Sequence, residues 1–63
     1  MIFDNIARLC KDRHISIARL EREIGVGNAT IRGWKHASPT VVKLKLVADY
    51  FGCTVDDLLK EVR

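Results

Sequence analysis

The stretch from Ser16 to Trp34, SIARLEREIGVGNATIRGW, constrains the fold of this chain more than any other. Its key is the order Ile24-Gly25-Val26. Leu20 and Ile24 form an apolar helical stripe, with Ile17 or Ala18 at its first turn, and Gly25 follows at once, where a helix closes through a left-handed residue. Val26 is apolar and is expected to pack back into the core. A bend followed by an anchor predicts two short helices meeting at a fixed angle across Gly25-Val26-Gly27. Ser16 is a good N-cap for the first of them. The second is expected from Gly27 or Asn28 to about His36, with Ile31 and Trp34 facing the core. Asn28, Ala29, Arg32, Gly33 and Lys35 then face outward. Gly33 lowers helix propensity by about 1 kcal/mol relative to alanine. Either another backbone comes close there, or a short helix tolerates it.

The rest of the chain supplies three more helical patterns. Helix 1 is expected from Phe3 to Arg13, with Ile6, Leu9 and Cys10 inward and Arg8, Lys11 and Asp12 in water. Ser38-Pro39 reads as an N-cap followed by proline at the first helical position, so helix 4 is expected from Pro39 to Phe51. Its inward stripe is Val41, Leu44, Val47, Ala48 and Phe51, and Gly52 ends it. Thr54 caps helix 5, with Asp57 placed close to a capping box, and Val55, Leu58, Leu59 and Val62 form its apolar face. Residues 1–63 thus read as one all-α domain, and 48% apolar residues suffice for a compact helical core. A second apolar line, Val42, Leu46 and Tyr50, recurs every four residues outside the core stripe of helix 4. Either a neighbouring helix covers it, or it joins Leu59 and Val62 in a homodimer interface built from helices 4 and 5.

Charge distribution says more than the net +3. Between Glu23 and Asp49 no acid occurs, whereas Arg32, Lys35, His36, Lys43 and Lys45 do. A basic tract of this kind suits a phosphate-bearing partner. Cys10 and Cys53 lie far apart without ligand-spaced histidines and read as small buried hydrophobes, so no metal or other cofactor is expected. His14 and His36 lack partners for acid–base work, so no enzyme is expected. The N-terminal sequence lacks a basic leader pattern, and no apolar run spans a membrane, so a cytoplasmic protein is expected. These residues read as no sensor domain, so no small-molecule ligand is expected.

Two helices joined by such a turn place the second in the DNA major groove. The whole chain resembles the lambda-repressor-like helix-turn-helix family, of the Cro/repressor or xenobiotic-response-element type. Its carriers are Ile15-Ser16, Leu20, Ile24-Gly25-Val26, Thr30-Ile31, Pro39, Leu44, Val47-Ala48, Phe51-Gly52 and Val55-Asp56-Asp57-Leu58-Leu59. The resemblance implies a compact five-helix domain with the helix-turn-helix at helices 2 and 3. Three positions depart from the family pattern. Ile17 stands where a glutamine often contacts the DNA backbone. Glu21 stands where alanine lets helices 2 and 3 cross closely, and is expected to reach solvent or a basic partner and widen that packing. Lys35 stands where an acid is common.

By resemblance, helix 3 presents its start to base edges. Asn28 suits adenine at N6 and N7, or else serves purely as an N-cap. Arg32 suits guanine or a phosphate, Ala29 and the Thr30 methyl suit a thymine methyl, and Gly33 permits close approach. Lys35, His36, Ser38 and Lys43 are the phosphate-contacting candidates, with backbone N–H groups at Ser16 and Ile17 at the start of helix 2. These readings imply a sequence-specific transcriptional regulator, acting as a dimer on a palindromic double-stranded DNA operator. The alternative is a protein-interaction or antitoxin-type helix-turn-helix module.

Overall fold

The computed structural model describes residues 2–59, and Val62 lies outside them. Among the described residues it contains four α-helices, one 3₁₀ segment and no strand. The helices are α1 (Ile2–Asp12), α2 (Ile17–Ile24), α3 (Val41–Phe51) and α4 (Val55–Leu59). The 3₁₀ segment, Arg32–Lys35, stands where a third α-helix was expected. The all-α class holds, and the count of five α-helices is corrected to four plus this segment.

The core is assembled from one face of each element. Ile6 and Cys10 of α1, Leu20 of α2, Ile31 and Trp34 at the 3₁₀ segment, Leu44, Val47, Ala48 and Phe51 of α3, and Leu58 of α4 are all buried. Helix α1 packs against α2, α4 and the 3₁₀ segment, while α3 packs against α2 and α4. Full burial of a side chain such as Leu20 or Ile31 contributes about 1.5–3 kcal/mol. Asn5, buried on α1, donates from Nδ2 to the Leu58 carbonyl at 2.7 Å, which ties the two ends of the chain together.

Three helix ends close alike. Gly25 (φ 81°) adopts the left-handed conformation expected of it, and Gly52 (φ 71°), which ends α3, adopts the same one. Helix α1 closes the same way, with the Ile15 N–H donating to the Cys10 carbonyl at 3.0 Å, but its left-handed residue is His14 (φ 57°). The helix starts agree with expectation at Ser16, whose Oγ accepts from the Arg19 N–H at 3.0 Å. They agree too at Thr54 and Asp57, which exchange two 3.1 Å bonds as a full capping box.

Four packing expectations are corrected. Thr40, not Ser38, caps α3, its Oγ1 accepting from the Lys43 N–H at 3.2 Å. The first helical residue is therefore Val41 instead of Pro39, and Val41 swings outward to 73% exposure. Val26 is only half-buried and does not join the core, which Ile24 and Ile17 contact instead. Leu59 is 51% exposed, so Leu58 and Val55 make the inner face of α4.

A non-glycine residue in the left-handed region carries a penalty of roughly 1–2 kcal/mol, partly offset by the greater chain entropy of glycine. Replacing His14 with glycine is expected to raise stability by about 1 kcal/mol, or roughly 4–8 °C in Tm for a domain of this size. A thermal melt followed by far-ultraviolet circular dichroism checks this, and an unchanged or lower Tm contradicts it.

Candidate nucleic-acid interface

The interface is built around the turn between α2 and the 3₁₀ segment. Helix α2 ends when the N–H groups of Gly25 and Val26 both donate to the Glu21 carbonyl, at 3.1 and 3.0 Å. The Glu21 side chain then points to the far side of the same turn. Its Oε1 accepts from the Ala29 N–H at 3.2 Å, and its Oε2 accepts from the Ile31 N–H at 2.8 Å. Glu21 is 3% exposed, so the expectation that it reaches solvent or a basic partner is wrong. A buried carboxylate needs hydrogen-bond donors, and backbone N–H groups at the positive start of a helical turn supply them.

The segment does not begin as a regular α-helix. Glu21 caps the Ala29 and Ile31 N–H groups, which would be free first-turn donors in any case. Ala29 is left-handed (φ 64°), and this interrupts regular α geometry. Regular winding starts only at Arg32, after which the Trp34 N–H donates to the Ile31 carbonyl and the His36 N–H to the Gly33 carbonyl, at 3.0 and 3.1 Å.

The outward set is as the sequence implies. Asn28, Ala29, Arg32, Gly33 and Lys35 are exposed, whereas Thr30 is half-buried. Asn28, Ala29 and Arg32 line one shallow depression with Ala18 and Glu21. Glu21 caps the segment, and among the described residues the Asn28 side chain does not serve as that cap. A Cβ placed on Gly33 meets nothing within 4 Å, so no intramolecular close approach demands glycine there.

The other candidates fall into separate groups. Lys35, His36 and Ser38 line a second depression with Ile2, Trp34 and Pro39. The Lys35 ammonium lies 4.6 Å from the centre of the Phe3 ring, a cation–π contact that packs the lysine stem along α1. Lys43 is exposed on the first turn of α3, outside both depressions. Ser16 is exposed and Ile17 half-buried against the core, so at the start of α2 only main-chain N–H groups are offered outward. Lys45 pairs with Asp49 at 3.6 Å across one exposed helical turn, which removes it from the free basic tract.

Sequence reasoning missed two residues that set this geometry. Glu21 had one signal: an acid in a slot facing the next helix must find buried donors. Arg13 donates from Nη2 to the Phe51 carbonyl at 2.9 Å and stacks 5.3 Å from the Phe51 ring, holding the end of α3 against α1. Nothing in its local sequence marks that role. Burial pushes both the Cys10 and Cys53 thiols up, as suits small apolar packing residues, and both are free.

Glu23 lies beside the turn on α2. Its carboxylate accepts from Arg19 Nε at 2.6 Å and from the Tyr50 hydroxyl at 3.0 Å. These bonds, Arg19 first and then Tyr50, hold the Glu23 carboxyl below the usual glutamate range. A carboxyl lowered by folding stabilises the fold above its unfolded value, here 4.5, and that contribution is lost as pH falls through the lowered value. Glu23→Gln is therefore expected to lower Tm at neutral pH, with the gap to wild type closing below about that pH. Paired melts over a pH series check this, and a gap that persists unchanged in acid contradicts it.

Comparison with known families gives a match. A model described as the Cro/C1-type HTH DNA-binding domain matches residues 5–62. No curated protein and no solved structure matches the chain. The match spans nearly the whole sequence, so the chain belongs to the Cro/C1-type HTH DNA-binding family.

Proposed function

We propose that this Cro/C1-type domain is a sequence-specific transcriptional regulator of the Cro/repressor kind that reads DNA with the segment from Asn28 to Gly33. The observation that carries the reading is the exposed set Asn28, Ala29 and Arg32 around one depression, left free because Glu21 caps the segment in their place. Asn28 pairs with adenine and Arg32 with guanine or a phosphate, while Ala29 and Thr30 touch thymine methyls. Gly33 has no intramolecular reason to be small, which favours its role in admitting the DNA backbone. Lys35, His36, Ser38 and Lys43, with the main-chain N–H groups at Ser16 and Ile17, bind phosphates on either side.

Selection of bound duplexes from a random pool, followed by titration of the selected sequence, tests this. The expected result is a palindromic site whose affinity falls by about 10³ between roughly 50 and 200 mM salt if the complex makes about six phosphate contacts. No selected sequence, or a flat salt dependence, rejects the reading.

Two copies spaced about 34 Å apart are needed to read two half-sites. The apolar surface for this pairing is Val42 at 73%, Leu46 at 40% and Leu59 at 51% exposure, now joined by Val41. Tyr50 is half-buried with its hydroxyl on Glu23, so it supports the edge of this face from the α2 side. Val42→Ser with Leu46→Ser is expected to shift a dimer to monomer in analytical ultracentrifugation while leaving the melt cooperative. A wild-type monomer, with and without DNA, contradicts the dimer.

A further inference from the structure

We propose that Glu21 is a positioning residue for base recognition, holding Asn28 and Arg32 in reading geometry without touching DNA; this rests on the DNA-binding reading above. The argument starts from a conflict at Asn28. An asparagine at the start of a helical segment folds its side chain back onto the free N–H groups of the first turn. An amide used that way is lost to a base edge. Here the Ala29 and Ile31 N–H groups, at the start of the segment, are already taken at 3.2 and 2.8 Å by a carboxylate from the preceding helix. The cap is supplied from below, and the residue above it is released.

The same carboxylate fixes direction. Two bonds from one rigid, buried group to residues 29 and 31 hold both ends of the left-handed bend at Ala29. Asn28 leaves the chain just before that bend and Arg32 just after it, and both line the depression above Glu21. A neutral cap local to the segment satisfies the same N–H groups without placing a buried negative charge beneath a surface meant for a polyanion. That charge is repelled by phosphates, so its effect on overall affinity is unfavourable or nil. Its favourable effect is on geometry, and geometry is read as sequence preference.

Glu21→Gln tests this, because it keeps the volume and one acceptor oxygen but turns an amide N–H₂ toward a backbone donor. The variant is made in the wild-type chain and in the His14→Gly background, which offsets lost stability. Three readouts are taken: affinity for the selected duplex, affinity and salt slope on a scrambled duplex, and amide hydrogen exchange at Ala29 and Ile31. The expected result is about a tenfold loss of preference for the selected duplex, the effect of losing one charge-assisted bond. Scrambled-duplex affinity and salt slope stay unchanged, and the two amides exchange faster. An equal loss on both duplexes, an unchanged preference, or failure to fold in either background shows that Glu21 is only structural and overturns the inference. Absence of duplex binding by the wild-type chain is a separate result, which rejects the DNA reading and this inference with it. Glu21→Asp, too short to span both N–H groups, is expected to resemble Glu21→Gln, and full preference in Glu21→Asp also overturns it.

Discussion

One residue governs both sides of the turn that the recognition surface depends on. The main-chain carbonyl of Glu21 receives the bonds that close α2, and its side-chain carboxylate receives the bonds that open the following segment. Helix, turn and 3₁₀ segment are therefore linked at a single point. A turn built from glycine conformations alone has two loosely related arms. Here the arms share an anchor, buried to 3% exposure, so neither rotates without breaking bonds that water cannot replace. Leu20 on one side, and Ile31 and Trp34 on the other, then pack around a joint whose angle is already set.

The remaining polar contacts extend this arrangement to the periphery. Arg13 clamps the end of α3 to α1, Tyr50 and Arg19 share Glu23 between α2 and α3, and Asn5 bonds α1 to α4. The Arg13, Tyr50 and Asn5 bonds join elements far apart in sequence. A domain of this size buries only about 60% of its unfolded surface. Such cross-links matter more here than in a larger protein, since the buried apolar core holds ten of the described residues.

Much of this was legible in the sequence, for identifiable reasons. Ser16, Gly25, Thr54, Asp57 and Gly52 act through local chemistry, so spacing alone identifies them. The core stripe from Leu44 to Phe51 follows helical periodicity and was readable likewise. The failures have different causes, some of them distant in the chain and some local. Helix 3 is expected from Gly27 or Asn28 because nothing nearby forbids it, whereas Ala29 is left-handed and its N–H bonds to a carboxylate eight residues earlier in the chain. Val41 continues the helical stripe of Leu44, Val47 and Phe51 and so reads as inward, but it is the first residue of α3 and stands 73% exposed. His14 gave no warning, since a histidine at a left-handed helix end has no signature like glycine's. At the interface, the exposed side of Asn28–Lys35 was readable from Ile31 and Trp34, but the release of Asn28 from capping was not.

The 3₁₀ winding of the recognition segment changes how its side chains are grouped. Three residues per turn make every third side chain eclipse, so the segment behaves as a prism with three edges instead of a cylinder. Ile31 and Trp34 lie on the row sunk in the core, and Arg32, Gly33 and Lys35 are exposed, with Gly33 leaving its side of the segment bare. Fold and charge are thus carried on different rows of a very short peptide.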